Sequence, residues 1–172
     1  MLPIIETRFS RCRTYRWTLS RRWTPAKGLV NFIGLNPSTA DEVKLDQTCS
    51  REVSFASKWE YGAYLKTNLF GYRATNPKDM KDHVSPIGEE NDYWIQQAAR
   101  AASLVVLCWG THGAHLNRAK EVLDRVLPKD IDLYCLKLTK EGFPQHPLYL
   151  KGDLRPILFR TSQTESSAES AR

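Results

Sequence analysis

Residues 29–39, with the sequence LVNFIGLNPST, decide the fold of this chain. The run from Leu29 to Leu35 is almost continuously apolar, which is typical of a β-strand that is covered on both faces. The run ends at Asn36 and Pro37. Proline fixes its own φ angle and biases the preceding residue toward an extended conformation, so the strand ends in a loop there. The stretch therefore predicts a core strand that leads into a loop.

Similar apolar runs recur along the chain and alternate with helical patterns. Further core strands are predicted at 63–70, 104–109 and 131–138, and helices at 46–59, 89–102 and 114–127. Strands that alternate with helices indicate right-handed crossovers and a mainly parallel central sheet. A period-two pattern over 12–23 predicts a half-buried strand at an N-terminal edge, alone or in a hairpin. The predicted fold class is thus α/β.

Length and composition indicate a single domain. A chain of 172 residues, 41% of them hydrophobic, can bury one sizeable core. The final stretch, TSQTESSAESAR, is small and polar, so we expect a domain at 1–160 and a disordered tail at 161–172. No apolar run approaches the roughly 20 residues that cross a bilayer, and the first residues lack the pattern of a signal peptide. We therefore expect a cytoplasmic monomer that binds no membrane.

The net charge of +6 is concentrated at the N-terminus. Residues 1–27 carry seven lysines and arginines against one acidic residue, whereas 28–172 carry eighteen of each sign. Cations interleaved with aromatic residues suit contact with phosphates and stacking on bases, which predicts a nucleic acid as partner. The residues expected at its backbone are Arg13, Arg16, Arg21 and Arg22. The alternative is that they form the solvated outer face of an edge hairpin.

Metal and cofactor motifs are missing from the sequence. The four cysteines include no C-x-x-C pair, so the sequence contains neither a zinc ribbon nor a typical iron–sulfur loop. His112 and His115 do not have the i, i+4 spacing of a helical metal pair, and no third ligand is evident. We therefore expect no metal and no cofactor.

The candidate site lies in the loops that follow the four predicted core strands. In a parallel sheet, ligands bind beyond the carboxyl ends of the strands, where loops converge and helix N-termini point their N–H groups. The candidate ligand-contacting residues of these loops are Gly34, Asn36, Pro37 and Ser38; Asn68, Phe70, Tyr72 and Arg73; Trp109, Gly110 and His112; and His146.

Three polar side chains in these loops suit chemistry on a base. The Asn36 amide can position a water molecule, although an Asx turn is the alternative. Asn68 offers an acceptor and two donors to a Watson–Crick edge, or it caps the backbone at a strand end. His146 can donate to a developing oxyanion at neutral pH, or it is a surface histidine in a proline-rich loop.

Two carboxylates lie near Asn36 in the sequence. Either Asp41 or Asp46 could act as a general base or hold a cation, and the alternative for Asp46 is a helix N-cap. Arg73 could contact a phosphate or pair with Asp41, with Tyr72 free to stack.

Two glycines frame the loop of His112. Gly110 and Gly113 could bring backbone N–H groups close to an anion.

The order of four segments resembles the uracil-DNA glycosylase superfamily. The segments are GLNPS at 34–38, KTNLF at 66–70, LCWGTHG at 107–113 and QHPLY at 145–149, and the resemblance spans 29–150. It implies a three-layer α/β/α sandwich that acts on DNA and hydrolyses the N-glycosidic bond of a flipped-out damaged or modified base.

The resemblance also implies roles for individual residues. Asn36 would orient the attacking water, Asn68 would read the base, and His146 would stabilise the departing anion. The most active members carry Asp where this chain has Asn36, so a strong general base would have to come from Asp41 or Asp46. The last loop reads HPLYL rather than the HPSP type.

A closer resemblance is to a bacterial and phage family of uncharacterised domains, domain-of-unknown-function family 1643. It rests on LNPSTAD, NLFGYRAT, IGEEND, WGTHG and HPLYLKGD. This kinship implies no settled activity. Two alternatives therefore accompany the DNA glycosylase: a binder of nucleic acids or nucleotides without catalysis, and a hydrolase of free nucleosides or nucleotides.

Overall fold

A computed structural model describes residues 6–163 of the chain. Its centre is a mixed sheet of seven strands in the order β1-β2-β4-β3-β5-β6-β7. The strands are β1 Arg8–Phe9, β2 Arg16–Arg22, β3 Leu29–Gly34, β4 Ala63–Asn68, β5 Leu104–Leu107, β6 Leu133–Cys135 and β7 Ile157–Arg160. The protein is therefore an α/β protein, as the alternating patterns predicted.

The prediction of a mainly parallel sheet was wrong. The central strands β4, β3, β5 and β6 pair in parallel, but β1 with β2, β2 with β4, and β6 with β7 are antiparallel. The sequence patterns did not locate β1 and β7, because strands of two and four residues are too short for a clear period-two pattern. These short strands at the two edges make the sheet mixed.

The N-terminal prediction is confirmed in its hairpin form. β1 pairs antiparallel with β2 at this edge of the sheet, and β2 itself lies between β1 and β4. Its first four residues are all buried, including Arg16 and Thr18. The polar half of the period-two pattern therefore does not mark a solvated face.

Within the described residues, four α-helices accompany the sheet. They are α1 Gln47–Lys58, α2 Pro77–Asp82, α3 Asn91–Ala101 and α4 Arg118–Glu121. The predicted helix at 114–127 is interrupted because Leu116 and Asn117 adopt left-handed φ angles of 53° and 54°. A 3-10 segment, Thr111–Asn117, precedes α4, and a π-helical turn, Val122–Val126, follows it.

Alternating residues of the central strands belong to two separate apolar clusters. Phe32 of β3 belongs to one cluster with Phe55 of α1, whereas the neighbouring Ile33 belongs to another with Ile95 of α3. All residues of β3 after Leu29 are buried. The continuous apolar run of 29–35 thus reflects a strand packed on both faces.

The predicted tail at 161–172 is described only at its start. The backbone N–H of Ser162 donates to Asp132 at 2.6 Å, and that of Gln163 donates to the carbonyl of Lys129 at 2.7 Å. Residues 164–172 of that prediction lie outside the described residues. Within 6–163, no helix combines the length and apolar character needed to cross a membrane.

Candidate functional site

A cleft of about 620 Å³ lies beyond the carboxyl ends of β3, β4 and β5. Ten of the predicted site residues line it: Arg16, Gly34, Asn36, Ser38, Asp46, Asn68, Trp109, Gly110, His112 and His146. The loops after three parallel strands, together with the loop of His146, therefore meet at one place. The predicted residues that do not line the cleft are Pro37, Asp41, Phe70, Tyr72, Arg73, Arg13, Arg21 and Arg22.

Asn68, the last residue of β4, has the most unusual environment in the cleft. Only 1% of the residue is exposed, yet neither its Oδ1 nor its Nδ2 has a hydrogen-bond partner among the described residues. Leaving a buried amide unpaired costs about 1–3 kcal/mol per group. Its side chain does not cap the backbone, which was the alternative at the sequence level. An unpaired amide that lines a cleft is available to a ligand.

The Asn36 amide is fixed by the protein. Its Nδ2 donates to the carbonyl oxygens of Pro37 at 3.0 Å and Ala74 at 2.7 Å. Its Oδ1 has no partner among the described residues. With the amide group fixed in this way, Oδ1 can accept a hydrogen bond from a water molecule or from a ligand.

His146 is oriented by the backbone of its own loop. The N–H of Leu148 donates to Nδ1 at 3.3 Å, which leaves the proton of the neutral ring on Nε2. Desolvation and then the Lys66 cation lower the pKa of His146 below 6.5, against opposing effects of Glu52 and Asp46. The ring is therefore neutral at pH 7 and offers an Nε2–H donor.

The two candidate carboxylates have different positions. Asp46 is the N-cap of α1, where its Oδ1 accepts the N–H of Cys49 at 2.8 Å, and it also lines the cleft. Asp41 lies outside the cleft, and its Oδ1 accepts the N–H groups of Val43 and Lys44. These bonds to Lys44 and Val43 lower the pKa of Asp41. Of the two, only Asp46 remains a candidate general base.

The glycines of the WGTHG loop do not offer N–H groups to a ligand. The N–H of Gly110 donates to the carbonyl of Pro144 at 2.7 Å, and that of Gly113 donates to Gly110 at 3.2 Å. The first bond ties this loop to the segment before His146. Gly110 has a φ angle of 71°, a conformation that glycine adopts at no steric cost. Its role is to shape the cleft rather than to bind an anion.

Two aromatic side chains of the same loop line the cleft. Trp109 is 2% exposed, and its Nε1 has no hydrogen-bond partner within the described part of the chain. His112 is exposed, and its Nδ1 lies 2.9 Å from the Nζ of Lys81. Burial and then the Lys81 cation lower the pKa of His112.

A buried polar network that sequence reasoning missed lies next to these residues. The Nζ of Lys66 is 2.5 Å from Oε1 of Glu52, whose Oε2 accepts the hydroxyl of Tyr64 at 2.6 Å. The Sγ of Cys108 lies 3.7 Å from the Lys66 Nζ and 3.4 Å from the same Glu52 oxygen. Lys66 lines the cleft and is 5% exposed, and Glu52 is fully buried.

A signal for the Lys66–Glu52 pair was present in the sequence. Lys66 interrupts an apolar strand, and Glu52 lies three residues after Cys49 and three before Phe55, on the buried side of α1. A charge at each of two buried positions indicates that they pair. Burial opposes the charged form of Lys66, but Cys108 and Glu52 more than offset it and raise its pKa.

Cys49 is another residue of the cleft that was not predicted. It is 1% exposed and occupies the first turn of α1. Burial, followed by the Glu52 carboxylate, raises the pKa of the Cys49 thiol to about 12. Because a thiol is nucleophilic only as the thiolate, Cys49 is not an activated nucleophile.

The arginines predicted to contact nucleic acid are largely engaged by the protein. Arg13 forms a two-pronged ion pair with Glu42 at 2.8 and 2.9 Å. Arg21 donates to the carbonyls of Ser20 and Asp41, both at 2.7 Å. Arg22 is exposed. The fourth, Arg16, is buried and lines the cleft instead of the outer surface.

Arg73 and its neighbours lie outside the cleft. Arg73 donates to the carbonyl of Arg13 at 3.1 Å and forms no ion pair with Asp41 among the described residues. Tyr72 stacks on His83, with ring centroids 3.8 Å apart, and Phe70 is fully buried. Tyr72 is thus already engaged in stacking.

Gly34 is required by the groups that face it. A Cβ atom at this position would lie 2.5 Å from the Lys66 Nζ and 3.0 Å from the Asn68 Oδ1. We expect Gly34→Ala to lower the free energy of unfolding by about 1–3 kcal/mol in urea titrations, because buried neighbours must shift. Gly152→Ala is the control, since its nearest contact is the end of the exposed Lys58 at 3.1 Å. Equal losses in both variants would contradict this reading of the site.

No group of three or more His, Cys, Asp or Glu side chains between residues 6 and 163 is arranged to hold a metal ion. The polar groups that line the cleft include the amides of Asn36 and Asn68, two imidazoles, Asp46 and the buried cations Arg16 and Lys66.

Comparison with known protein families finds a match. The family model described as a protein of unknown function, DUF1643, matches residues 16–148. No curated protein and no solved structure matches the chain significantly. The matched segment contains every residue of the cleft named above, from Arg16 to His146. Because the match covers most of its length, the chain belongs to the DUF1643 family.

Proposed function

We propose that this protein hydrolyses the N-glycosidic bond of a nucleotide in DNA, as a glycosylase that acts on a flipped-out damaged or modified base. The observation that carries the proposal is the buried, unpaired amide of Asn68 in the same cleft as Asn36 and His146. We further propose that the fold is a three-layer α/β/α sandwich of the uracil-DNA glycosylase type, with the roles that this resemblance implies.

The three side chains provide complementary functions for this reaction. Breaking the bond leaves positive charge on the sugar and negative charge on the base, so a donor must face the base and a water must face the sugar. The neutral Nε2–H of His146 is a suitable donor, and the Lys66 cation close to it adds a favourable potential. Asn68 offers both donors and an acceptor to the edge of the base.

Activation of the water would involve two residues. The fixed Asn36 leaves Oδ1 to accept a hydrogen bond from the water. Asp46 uses Oδ1 at the N-cap, and its Oδ2 has no partner among the described residues, so it can accept the proton. The bond from C1′ to the base nitrogen breaks, and the water oxygen joins C1′ and gives one proton to Asp46. The base leaves as an anion that accepts a hydrogen bond from His146, and it then takes up one proton from solvent while Asp46 returns its proton to solvent.

A second candidate is hydrolysis of free nucleotides in the same cleft. The environments of three N-terminal arginines favour it. Arg13 and Arg21 are bound by protein groups, and Arg16 lies in the cleft. Such an arrangement leaves fewer cations for a DNA backbone than the charge pattern predicted. Nucleic-acid binding without catalysis remains the third hypothesis.

The experiment that tests the proposal compares the protein with its Asn68→Ala variant. The substrates are oligonucleotides with uracil, deaminated purines or modified pyrimidines, and the corresponding mononucleotides; free base is measured by chromatography. We expect base release from at least one substrate, and a loss of kcat/KM of about 10- to 100-fold in Asn68→Ala, as for removal of one or two hydrogen bonds to the substrate.

The matched control is Asn76→Ala, which removes an exposed asparagine at the N-cap of α2. We expect it to release base at the rate of the unmodified protein. If folded Asn68→Ala releases base as fast as the control does, Asn68 does not read the base.

A further inference from the structure

Arg16 is a buried cation that lacks an anionic partner. It is 1% exposed, and it forms no ion pair with any carboxylate of residues 6–163. Its Nη1 donates to the carbonyl of Ala40 at 2.8 Å, while its Nε has no hydrogen-bond partner among the described residues. A charge removed from water is costly unless it is paired.

The other two buried cations show how this protein ordinarily pairs such charges. Lys66 binds Glu52, and Arg118 binds both Asp92 and Glu121. Among the buried cations in the described part of the chain, Arg16 is thus the exception. It differs from Arg118 in lining the cleft, where a ligand could provide the missing negative charge.

The first turn of α1 faces the same cleft. Gln47, Thr48 and Cys49 line it together with Arg16. The N–H groups at the start of a helix have no partner within the helix, and here the Asp46 side chain accepts only that of Cys49. The N–H groups of Gln47 and Thr48 and the positive end of the helix dipole therefore add to the potential for an anion.

The charges around Arg16 do not neutralise it. After burial, the charge of Arg16 is the strongest influence that lowers the pKa of Arg73. Asp46 is the one acidic residue among those that line the cleft, against Arg16 and Lys66. Since Glu52 is paired with Lys66, and Asp46 uses one oxygen at the N-cap, Arg16 has donors left for an external anion.

We propose that Arg16 and the first turn of α1 form a phosphate-binding subsite, so that the ligand carries a phosphate into the same cleft as its base. The identification of this anion as the phosphate of a nucleotide rests on the proposed function. The guanidinium group presents several donors in one plane and suits the oxygens of a phosphate. A nucleoside without phosphate leaves the Arg16 charge unpaired and binds weakly.

The test measures stabilisation by inorganic phosphate, with chloride at matched ionic strength as reference. Melting temperatures are recorded for the unmodified protein and for Arg16→Met, Arg16→Lys and Arg100→Met. Arg100 is an exposed arginine outside the cleft and serves as the control. We expect phosphate to raise the melting temperature of the unmodified protein and of Arg100→Met, with an apparent Kd at least about tenfold weaker in Arg16→Met.

The melting temperature of Arg16→Met without phosphate provides a second readout. Because Arg16 is buried without an anion, Arg16→Met should melt at the same temperature as the unmodified protein or higher. Arg16→Lys retains the charge without the planar donors, and we expect it to bind phosphate less tightly than the unmodified protein. Equal stabilisation by phosphate of Arg16→Met and the unmodified protein would overturn the subsite.

A measurement on the unmodified protein alone makes the test independent of whether the variants fold. A nucleoside 5′-monophosphate should bind at least about tenfold more tightly than the same nucleoside, as for one added charge-assisted contact. Equal affinities contradict the subsite. Binding of a short oligonucleotide with internal phosphates is measured in parallel with the nucleoside 5′-monophosphate. The ligand that loses more affinity in Arg16→Met shows whether the phosphate belongs to a free nucleotide or to a nucleic-acid backbone.

The subsite and the proposed reaction can fail separately. If the protein binds phosphate through Arg16 but releases base from no substrate, the proposed reaction is disproved and the subsite stands. If Arg16→Met releases base at the full rate and the unmodified protein does not bind phosphate, the subsite is disproved and the proposed reaction stands.

Discussion

Replacing His146 with alanine is expected to lower kcat for base release about 10²- to 10³-fold while KM changes little. The expected size is that of removing one donor that stabilises charge mainly in the transition state. The Leu148 N–H bonded to Nδ1 fixes the ring and leaves Nε2–H for the departing base. The measurement is steady-state kinetics on whichever substrate releases base.

The pH dependence of the reaction provides an independent check on His146. Desolvation and the Lys66 cation lower the pKa of His146 below 6.5, so the neutral ring persists to mildly acidic pH. Protonation puts a hydrogen on Nδ1, which then can no longer accept the N–H of Leu148, and the ring loses its orientation. Activity due to His146 should therefore be retained at neutral pH and fall as the pH drops through the lowered pKa.

The control for this prediction is His83→Ala. His83 stacks on Tyr72 and does not line the cleft. We expect kcat for base release to remain within about twofold of the unmodified protein. A His146→Ala variant that keeps full kcat, or an acidic limb that is unchanged in that variant, would show that His146 does not stabilise the leaving base.

Replacing Lys66 with methionine is expected to lower the free energy of unfolding by about 3–5 kcal/mol. The variant leaves the Glu52 carboxylate buried without its cation, and the loss of one partner from a buried ion pair has this magnitude. The Glu52 side chain is fully buried, and the Lys66 side chain is 6% exposed. Urea titration of the folded variants gives the difference directly.

A double variant separates the cost of an unpaired charge from the loss of packing. Lys66→Met with Glu52→Gln removes both charges and retains an acceptor for the Tyr64 hydroxyl, which now binds Oε2 of Glu52 at 2.6 Å. We expect the double variant to recover at least half of the stability lost in Lys66→Met. A double variant as unstable as Lys66→Met alone would indicate that packing, rather than charge pairing, dominates.

The sequence was most informative where one pattern extended over a whole element. The apolar run at 29–35 predicted β3, and the pattern at 46–59 predicted α1 within one residue at each end. Asn36, Asn68 and His146 were predicted as site residues because they lie in loops that follow predicted core strands, and all three line the cleft. Asp46 proved to be both the predicted N-cap and a residue of the cleft.

The sequence was less informative where tertiary neighbours decide the environment of a residue. Arg16 was expected at a nucleic-acid backbone or, alternatively, on a solvated outer face, but it is buried and lines the cleft. Asp41 was as close to Asn36 in the chain as any candidate base, yet it closes a local turn with Val43 and Lys44. Short-range geometry of this kind has no clear signature in a single sequence.

Lys66 and Glu52 were missed for the same reason. Lys66 and Glu52 are fourteen positions apart, so their pairing depends on how α1 packs on β4. Once both are placed on buried faces, the pair is the expected solution for two charges without water. The unpaired groups of Asn68 and Arg16 could be identified only from the structure.

The most direct test of the central claim is hydrolysis in ¹⁸O-labelled water, with the products analysed by mass spectrometry. We expect one ¹⁸O atom to join the sugar at C1′ and the released base to contain none. Label in the base or in the phosphate, or no product from any substrate with folded protein, would contradict cleavage of an N-glycosidic bond in this cleft.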